Sequence, residues 1–411
     1  TVARGEKRLG TGWAMGRTQH RNAVDTIRVV VNGHLLLGAV GRPGAGLCPV
    51  RGHSNVQGDR TMGSFEKMPA WFHDRIDEVF EFESPRAPGH DTVDAIVAMH
   101  DEPGKVFFGL GGNFAQATPD TDFTARALRN CSLTVHVSTK LNRSHLVPGR
   151  RALILPCLGR SEEDVQSSGP QFVTSENSMG IVQQSMGRLT PPSEHLRSEV
   201  SIVAALASAT IGDTPTVCWS ELAGDYRKIR ALIEQVVPGF EGYDDRARVE
   251  GGFSLPNGAK QRTWKTATGL AEFAAPPLSV FEPSDPNRLV LQTSRSHDQF
   301  NTTIYGLDDR YRGVKGQRRL IYLNAGDMAS RGLSAMDVVD ITSYWTVDDG
   351  TDSTVEERRA ERFVAVPFDT PAGTAMAYFP EAHALVPIGS KADVSGTPTS
   401  KASEIDVTRS P

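Results

Sequence analysis

Apolar residues follow two different spacings along the chain, and the first part of the chain shows helical spacing. One run with intervals of three and four residues comprises Val24, Ile27, Val31 and Leu35. This spacing predicts an amphipathic helix, which should end in the Gly- and Pro-rich segment 38–46. Helices are also predicted for EVSIVAALASATI at 199–211 and for YRKIRALIEQV at 226–236.

Between these helices the pattern is that of an α/β domain. The segment KVFFGLGGN, beginning at Lys105, predicts a buried strand that ends in a glycine turn. Pro119 and Asp120 suit the first turn of a helix that continues through Leu128. LTVHVST and RALILPC then predict two more strands. Because strand, helix and strand follow within about 30 residues, we expect a parallel sheet.

The last part of the chain, from residue 281, is dominated by short strand-like runs that are separated by turn signals. These runs are LVLQTS, RLIYLN, VVDITSYW, RFVAVPF and AMAYF. Such a series predicts a small β-barrel or a sandwich. The segment VEERRAER carries charges of both signs and is interpreted as a solvated face.

Composition narrows the class of protein. The 411 residues are 38% hydrophobic and 23% charged, with a formal net charge of −5, so no broad surface for nucleic acid is indicated. No apolar run is long enough to cross a bilayer. None of the four cysteines lies in a Cys-x-x-Cys spacing, which favours a reducing, cytoplasmic location. The chain begins with Thr1, so we expect a fragment or a processed product.

Three loops rich in hydrogen-bond donors follow predicted elements. They span Cys48–Arg60, Ser138–His145 and Thr293–Thr302. The first contains two arginines, whose planar forks suit carboxylate or phosphate, and glycines that allow close approach of a ligand. Each of the other two, taken alone, is explained at least as well by a solvated connection. Their number in one acidic protein indicates a surface for a polar anion.

The glycine turn after Lys105 leaves two interpretations open. Gly109, Gly111 and Gly112 resemble the start of a dinucleotide loop, but Phe114 stands where the third glycine should be, so a nicotinamide site is disfavoured. A glycine turn at the carboxyl edge of a parallel sheet is a favoured ligand position, and a plain tight turn is the alternative. The chain also lacks a Walker-type loop, a His-Glu-x-x-His helix and a Gly-x-Ser-x-Gly elbow.

Four motifs, in order, resemble the formate-dehydrogenase-like molybdopterin oxidoreductases of the FdhF/YdeP type. They are MGRTQH, GAVGRPGAGLCPVRGHSNVQGDRTMG, TSRSHDQFNTT and PIGSKADVSGTPTSK. The resemblance runs from Gly12 to Ile405, and the motifs occur in the same order as in the family. The chain therefore resembles the C-terminal half of these longer enzymes.

The resemblance implies a fold and a domain division. It implies an α/β domain with a parallel sheet followed by a C-terminal β-barrel, both of the dimethyl-sulfoxide-reductase type. Residues 1–60 would close an incomplete α/β catalytic domain. Residues 61–280 would form an α/β molybdopterin-binding domain, and residues 281–411 a β-barrel domain that binds the molybdopterin dinucleotide.

The same resemblance implies cofactors and partners. Such enzymes hold molybdenum or tungsten in a bis(molybdopterin guanine dinucleotide) centre. Their 4Fe-4S cluster and metal-ligating side chain lie upstream, so no metal ligand is expected in this chain. The implied partners are a missing N-terminal half, a small anionic substrate and an unknown electron acceptor.

Site residues are implied position by position. Arg51 would orient a substrate carboxylate, and His53 stands where well-known formate enzymes have glutamine. Asn55 and Gln57 would contact the pterin. A larger set would hold the dinucleotide: Gly111, Gly112, Asn113, Thr139, Lys140, Asn142, Arg295, Ser296, His297, Gln299, Asn301, Thr397 and Lys401. His383 stands where the family often has asparagine.

Plainer interpretations accompany these assignments. Arg51 could pair with Asp59 or Glu66, and His20 could cap or pack. Asp327 should cap a helix or turn. Glu162 and Asp164 are interpreted as part of a solvated loop.

Two functions from different classes remain open. The first is a molybdenum-dependent oxidation of formate or a similar small oxyanion, active only with the missing half. The second is a catalytically silent fragment, or one half of a split gene, that binds the guanine dinucleotide.

Overall fold

The first region of the chain is a parallel strand pair joined by a long helix. The computed structural model describes residues 8–302, 305–348 and 353–411. The elements of this region are β1 (Gly10–Trp13), α1 (Met15–Thr18), α2 (Ala23–Leu36), β2 (Gly46–Pro49) and α3 (Val56–Thr61). The predicted helix is confirmed as α2, and the chain turns away at Gly38, whose φ is 60°. β1 pairs with β2 in parallel, so α2 is a crossover that returns the chain to the same edge.

The second region contains the predicted parallel sheet. Its first elements are α4 (Ala70–Phe80), α5 (Thr92–Asp101), β3 (Val106–Leu110), α6 (Phe114–Ala117), α7 (Thr121–Asn130), β4 (Leu133–Ser138), a 3-10 helix (Arg143–Leu146) and β5 (Ala152–Pro156). The strand order is β3-β4-β5, all parallel, which confirms the predicted βαβ unit. Asp120 is the N-cap of α7, outside its first turn, and its side chain accepts from Phe123 N at 3.3 Å.

A second, antiparallel sheet lies in the same region and was not predicted. The remaining elements are β6 (Val165–Gln166), β7 (Gly169–Pro170), β8 (Val173–Glu176), β9 (Ile181–Ser185), α8 (Glu199–Ile211), α9 (Trp219–Gly224), α10 (Tyr226–Val236), α11 (Tyr243–Arg248), β10 (Phe253–Ser254) and α12 (Gly258–Gln261). β8, β9 and β10 form the sheet, and Phe172, Val182 and Phe240 belong to the core beneath it. These strands are short and largely polar, so their periodicity was too weak to identify.

The third region is a closed six-stranded barrel, which decides between the two architectures that the sequence left open. Its strand order is β11-β17-β14-β16-β15-β18, among the elements β11 (Leu289–Ser294), β12 (Asp308–Asp309), β13 (Val314–Lys315), β14 (Leu320–Leu323), α13 (Ala325–Ser330), β15 (Val338–Asp348), β16 (Ser353–Pro367), β17 (Thr374–Tyr378), a 3-10 helix (Glu381–Leu385) and β18 (Ser403–Arg409). Leu291, Ile341 and Phe363 are fully buried in its core.

Two features of the barrel extend the sequence prediction. β18 was not predicted, although its alternation places Ile405 and Val407 inside the barrel. The VEERRAER segment lies within β16, where Ala360 is buried and its neighbours are mostly exposed. The solvated face is therefore the outer face of a barrel strand.

Direct bonds join the barrel to the parallel-sheet region. Arg358 on β16 donates to Asp120, the cap of α7, at 2.6 Å. His383 Nδ1 lies 3.1 Å from the carbonyl of Thr118, and burial lowers the pKa of His383 to about 4. The imidazole is therefore neutral at pH 7, with Nδ1 donating to that carbonyl.

Among helices in the described ranges, none has the length and apolarity needed to span a bilayer.

The barrel core should dominate the stability of this region. Leu291→Ala would leave a cavity at a fully buried position and should cost about 2–5 kcal/mol. Leu278→Ala is the matched control, because Leu278 is 93% exposed and should change stability by less than about 0.5 kcal/mol. Denaturant unfolding measures both, and equal losses would contradict this placement of the core.

Candidate functional site

The loop between β2 and α3 is anchored at its base and open at its tip. Asn55 has a left-handed backbone with φ 68°, and its Oδ1 accepts from the backbone N of Glu176 at 3.0 Å. Its Nδ2 donates to Asp59 at 3.3 Å. A Cβ at position 58 would lie 2.0 Å from Asn55 Oδ1, so any larger residue there would displace this carboxamide. The carboxamide of Asn55 is thus engaged in holding the loop against β8.

Arg51 occupies the exposed tip of this loop. Its Nη2 donates to Gln57 Oε1 at 2.8 Å. The alternative pairing with Asp59 or Glu66 is not found: Asp59 accepts from Asn55, and Glu66 pairs with Arg60 at 3.2 Å. Arg51 therefore has a neutral partner, and the fork retains its charge and further donors for an anion.

The tip of the loop between β2 and α3 contacts the loop that follows β11 of the barrel. Asn301 Nδ2 lies 2.9 Å from His53 Nε2, and Asn301 Oδ1 accepts a bond from Arg295. Asn301 itself has a φ of 49°. This contact joins into one cluster two donor-rich loops whose residues His53 and Asn301 are 248 positions apart in sequence. Thr303, which ends the barrel-loop motif, lies outside the described residues.

Two cations of the barrel lie together in this cluster without an ion-pair partner in the described part of the chain. Lys401 Nζ donates to Thr293 Oγ1 at 3.0 Å and to the carbonyl of the same residue. Burial, and then repulsion from Arg295, lower the pKa of Lys401 to about 8. Burial also lowers the pKa of Arg295. Desolvated cations are costly unless an anion accompanies them, so the pair forms a candidate anion site.

Segment 15–20 lines the same site. The backbone N of Lys401 donates to the carbonyl of Gln19 at 3.3 Å, and Ser400 Oγ donates to Gln19 Oε1 at 2.9 Å. The ring of His20 lies 3.0 Å from the carbonyl of Gly16. Its pKa is lowered by burial, with smaller contributions from Arg17 and Lys401. His20 therefore packs locally, as expected, and it does so near Lys401. Gln19 is a further neighbour of this site that sequence reasoning did not select.

Two other predicted site residues of the barrel form hydrogen bonds within the protein. Ser296 and Gln299 are buried, and both accept bonds from Arg318, at 2.6 and 3.0 Å. Arg318 also pairs with Glu381 at 2.7 Å. The two side chains therefore shape the loop that carries Arg295, and their acceptors are occupied. Arg318 had no distinguishing signal in the sequence, because its role depends on these distant partners.

The last two barrel candidates lie at the edge of the cluster. His297 Nε2 accepts from Arg310 and lies 3.1 Å from Asp298 Oδ1. Thr397 Oγ1 accepts from Ser395 at 3.2 Å, within the turn that precedes Lys401. In the described part of the chain neither forms a hydrogen bond or an ion pair with Arg295 or Lys401, so their predicted cofactor role stays a prediction.

The remaining candidates form a second group at the carboxyl edge of the parallel sheet. Gly111 and Gly112 have φ values of 73° and 76°, and a Cβ on either would meet open space. Asn142 Nδ2 donates to the carbonyl of Gly112 at 2.8 Å, which joins the loops after β3 and β4. This edge is where ligands bind in open α/β sheets.

Within this second group, burial separates the side chains. Asn113 is buried and accepts from Ser144 at 3.1 Å, so it holds the loops together. Thr139 and Lys140 are exposed beside them. The polar surface that faces solvent is therefore formed by backbone of the glycine turn together with these two side chains.

Two plainer interpretations can be compared with the structure here. Asn324, and not Asp327, is the N-cap of α13; Asp327 lies in its first turn and accepts from Gly373 N at 2.8 Å. Asp164 accepts from Tyr226 Oη at 2.6 Å, so it is part of a packed contact and not a free loop carboxylate. Among the described residues, no group of three or more His, Cys, Asp or Glu side chains could hold a metal.

Comparisons with known proteins point to oxidoreductases. No family model matches the chain. It is 55% identical over 391 residues, 95% of this chain, to a Mycobacterium tuberculosis protein named as an uncharacterized oxidoreductase, and spans 50% of that protein. It is 41% identical over 397 residues to protein YdeP of Escherichia coli, covering 96% of this chain and 52% of YdeP. The chain thus spans about half the length of the curated relatives it matches.

A shorter match and a solved structure add to this. A putative formate dehydrogenase of Bacillus subtilis, YrhE, is 32% identical over 114 residues, which is 25% of this chain and 11% of that protein. Acetylene hydratase from Pelobacter acetylenicus superposes with a TM-score of 0.52 at 14% identity, covering 83% of this chain and 50% of the hydratase. At that identity the likeness shows a shared fold alone.

The buried charge of Lys401 should affect stability in a defined direction. Its pKa is about 8 in the folded chain and 10.5 when unperturbed, so the unfolded chain binds more protons between these pH values. The destabilisation is therefore fully present at pH 7 and is relieved as pH rises from 8 to 10.5. Lys401→Gln should raise the Tm at pH 7 and remove that pH-dependent gain.

The control for this experiment is Lys265→Gln, at an exposed lysine. Inorganic phosphate should raise the Tm of the unaltered chain more than that of Lys401→Gln, because an anion that binds the folded state stabilises it. A lower Tm for Lys401→Gln at pH 7, or an equal phosphate effect in both chains, would contradict the anion site.

Proposed function

We propose that this chain is part of a molybdenum-dependent oxidoreductase that acts on formate or a similar small oxyanion. The observation that carries the proposal is the cluster at which His53, in the loop that also carries the exposed Arg51, meets Asn301 of the barrel, with Arg295 and Lys401 beside it. The oxidoreductase names of the relatives and the match to a putative formate dehydrogenase support the reaction class.

The donor set fits a dinucleotide cofactor with phosphate groups. Arg295 and Lys401 are half-buried cations that repel each other, and a pyrophosphate between them would offset both charges. The hydroxyl of Thr293 already orients the ammonium of Lys401. A bis(molybdopterin guanine dinucleotide) centre, with molybdenum or tungsten, supplies two-electron chemistry when bound.

The second part of the dinucleotide would be held at the sheet edge. Gly111 and Gly112 present backbone without steric hindrance, while Thr139, Lys140 and Asn142 provide a hydroxyl, a cation and a carboxamide. We assign the guanine arm to this edge. The predicted division at residues 61–280 and 281–411 would then place one cofactor contact in each of two domains.

Arg51 would hold the substrate. Its guanidinium is exposed and, among the described residues, is bonded only to the neutral Gln57, so a small carboxylate can accept from the remaining N–H groups. His53 lies beside it with its ring bonded to Asn301, where it can donate to the anion or move a proton. Because His53 offers a donor pattern different from glutamine, formate is one member of a substrate class and not a fixed assignment.

Arg51→Lys should separate substrate binding from cofactor binding. Lysine keeps the charge but loses the planar fork, so kcat/KM for formate in the complete enzyme should fall about 10- to 100-fold. Molybdenum content should stay unchanged. Arg60→Lys is the matched control in the same loop, because Arg60 is engaged with Glu66. Equal kinetics for the two variants would remove Arg51 from the substrate site.

Arg295→Ala should act on the cofactor instead. Loss of one of the two half-buried cations should lower the content of guanine dinucleotide and molybdenum in the purified complete enzyme by about tenfold, in line with a charged hydrogen bond of roughly 1.5–3 kcal/mol. Arg28→Ala, at an exposed arginine paired with Asp25, is the control. Normal occupancy in Arg295→Ala would contradict the barrel contact.

Metal analysis decides between this proposal and the alternative. The complete protein should contain stoichiometric molybdenum or tungsten, whereas the 411 residues alone should contain none. A complete protein with guanine dinucleotide but no metal would establish the alternative, a binding module without catalysis. The four free cysteines are consistent with the cytoplasmic location that we propose.

A further inference from the structure

The two outer strands of the parallel sheet have the apolar composition that is typical of inner strands. β5 reads ALILP and β3 reads VFFGL, and both are continuous apolar runs. Such runs are typical of parallel strands that are covered on both faces. Yet β3 and β5 are the two outer strands of the order β3-β4-β5, and among the described residues no strand pairs with the outer side of 152–156.

Most exposed apolar side chains of these strands share one face. The register aligns Phe108 with Val135 and Val135 with Leu153, so all three point the same way. Val135 is 6% exposed, whereas Phe108 and Leu153 beside it are 37% and 46% exposed. Val106 and Leu110, two residues before and after Phe108, are 61% and 48% exposed.

Helices α5 and α7 cover the opposite face of the sheet. Phe107 points to that side and packs against the buried cluster of α5 and α7, which includes Ile96, Ala127 and Leu128. β5 extends beyond this cover, since Ile154 on the same side is still 41% exposed. A contiguous apolar surface of this kind marks an interaction site.

The length of the relatives indicates what covers this surface. Two relatives, 55% and 41% identical over nearly the whole chain, are about twice as long as the matched part. We propose that β5 and the face formed by Val106, Phe108, Leu110 and Leu153 bind an α/β polypeptide corresponding to the half of those relatives that this chain does not span. A strand of that polypeptide extends the sheet at β5, and its helices cover the exposed face.

The choice of partner rests on the proposed function, in which this chain works with a second half. The interface itself rests on strand composition, register and exposure. The two can therefore fail separately, and the experiment measures them separately.

The test is co-expression of this chain, carrying an affinity tag, with the unspanned half of the Mycobacterium tuberculosis relative. The two polypeptides should co-purify and elute together in size-exclusion chromatography. Leu153→Lys should lower the retained partner about tenfold or more, because it places a charge in an apolar interface. Leu278→Lys, at an exposed leucine outside the sheet, should retain it fully. Leu153→Lys alone should melt at the Tm of the unaltered chain.

Hydrogen exchange distinguishes strand addition from other contacts. The backbone amides of residues 152–155 should exchange more slowly in the complex than in the chain alone. Absence of a complex, equal retention by Leu153→Lys and Leu278→Lys, or unprotected β5 amides would each overturn the proposal. Self-association of this chain that Leu153→Lys abolishes would assign the face to a second copy and overturn it too.

The same samples separate the interface from the function. A complex with protected β5 amides but no molybdenum leaves the interface standing and overturns the proposed function. A molybdenum-containing complex with unprotected β5 amides does the reverse.

Discussion

The repulsion between Arg295 and Lys401 is the constraint around which the candidate site is built. Two cations in a partly desolvated place are unfavourable, and the folded chain tolerates them because neighbouring groups fix each one. Asn301 accepts from Arg295, and Thr293 accepts from Lys401. Neither acceptor carries a negative charge, so the excess positive charge remains available for a phosphate or a carboxylate.

Much of the surrounding structure serves to hold that pair. Arg318, Gln299 and Glu381 form a buried network that fixes the loop after β11. The bond between Asn301 and His53 then ties this loop to the one that carries Arg51. A stable charged site therefore needs neutral acceptors close to the cations and a rigid network behind them. The buried charge of Lys401 destabilises the fold, and the proposed anion would offset that cost.

The parallel sheet presents a related imbalance between sequence and surroundings. Its two outer strands have the apolar composition of inner strands, and α5 and α7 cover only one of its faces. The barrel, by contrast, is closed, so each of its six strands pairs with two neighbours and its own strands cover its core. The chain thus combines a closed barrel, next to which the donor-rich loops lie, with an α/β sheet that has an exposed apolar face.

The sequence by itself determined the elements with strong periodicity and the identity of the donor-rich loops. α2, α8, α10 and the βαβ unit follow from spacing, because burial of one face imposes a period that can be read along the chain. Arg51, Arg295 and Lys401 were also identifiable, from motifs that resemble a known family. The short polar strands β8 and β9 and the alternating strand β18 were not.

Only the tertiary structure decided which loop residues keep free donors and which hold the fold. Asn55, Asn113, Ser296 and Gln299 look like ligand donors in the sequence, but their partners lie up to 121 residues away and occupy them. The unpaired charge of Arg295 and Lys401 is likewise a property of distant neighbours. Hydrogen bonding and desolvation depend on which groups meet in space, and sequence spacing carries no information about such meetings.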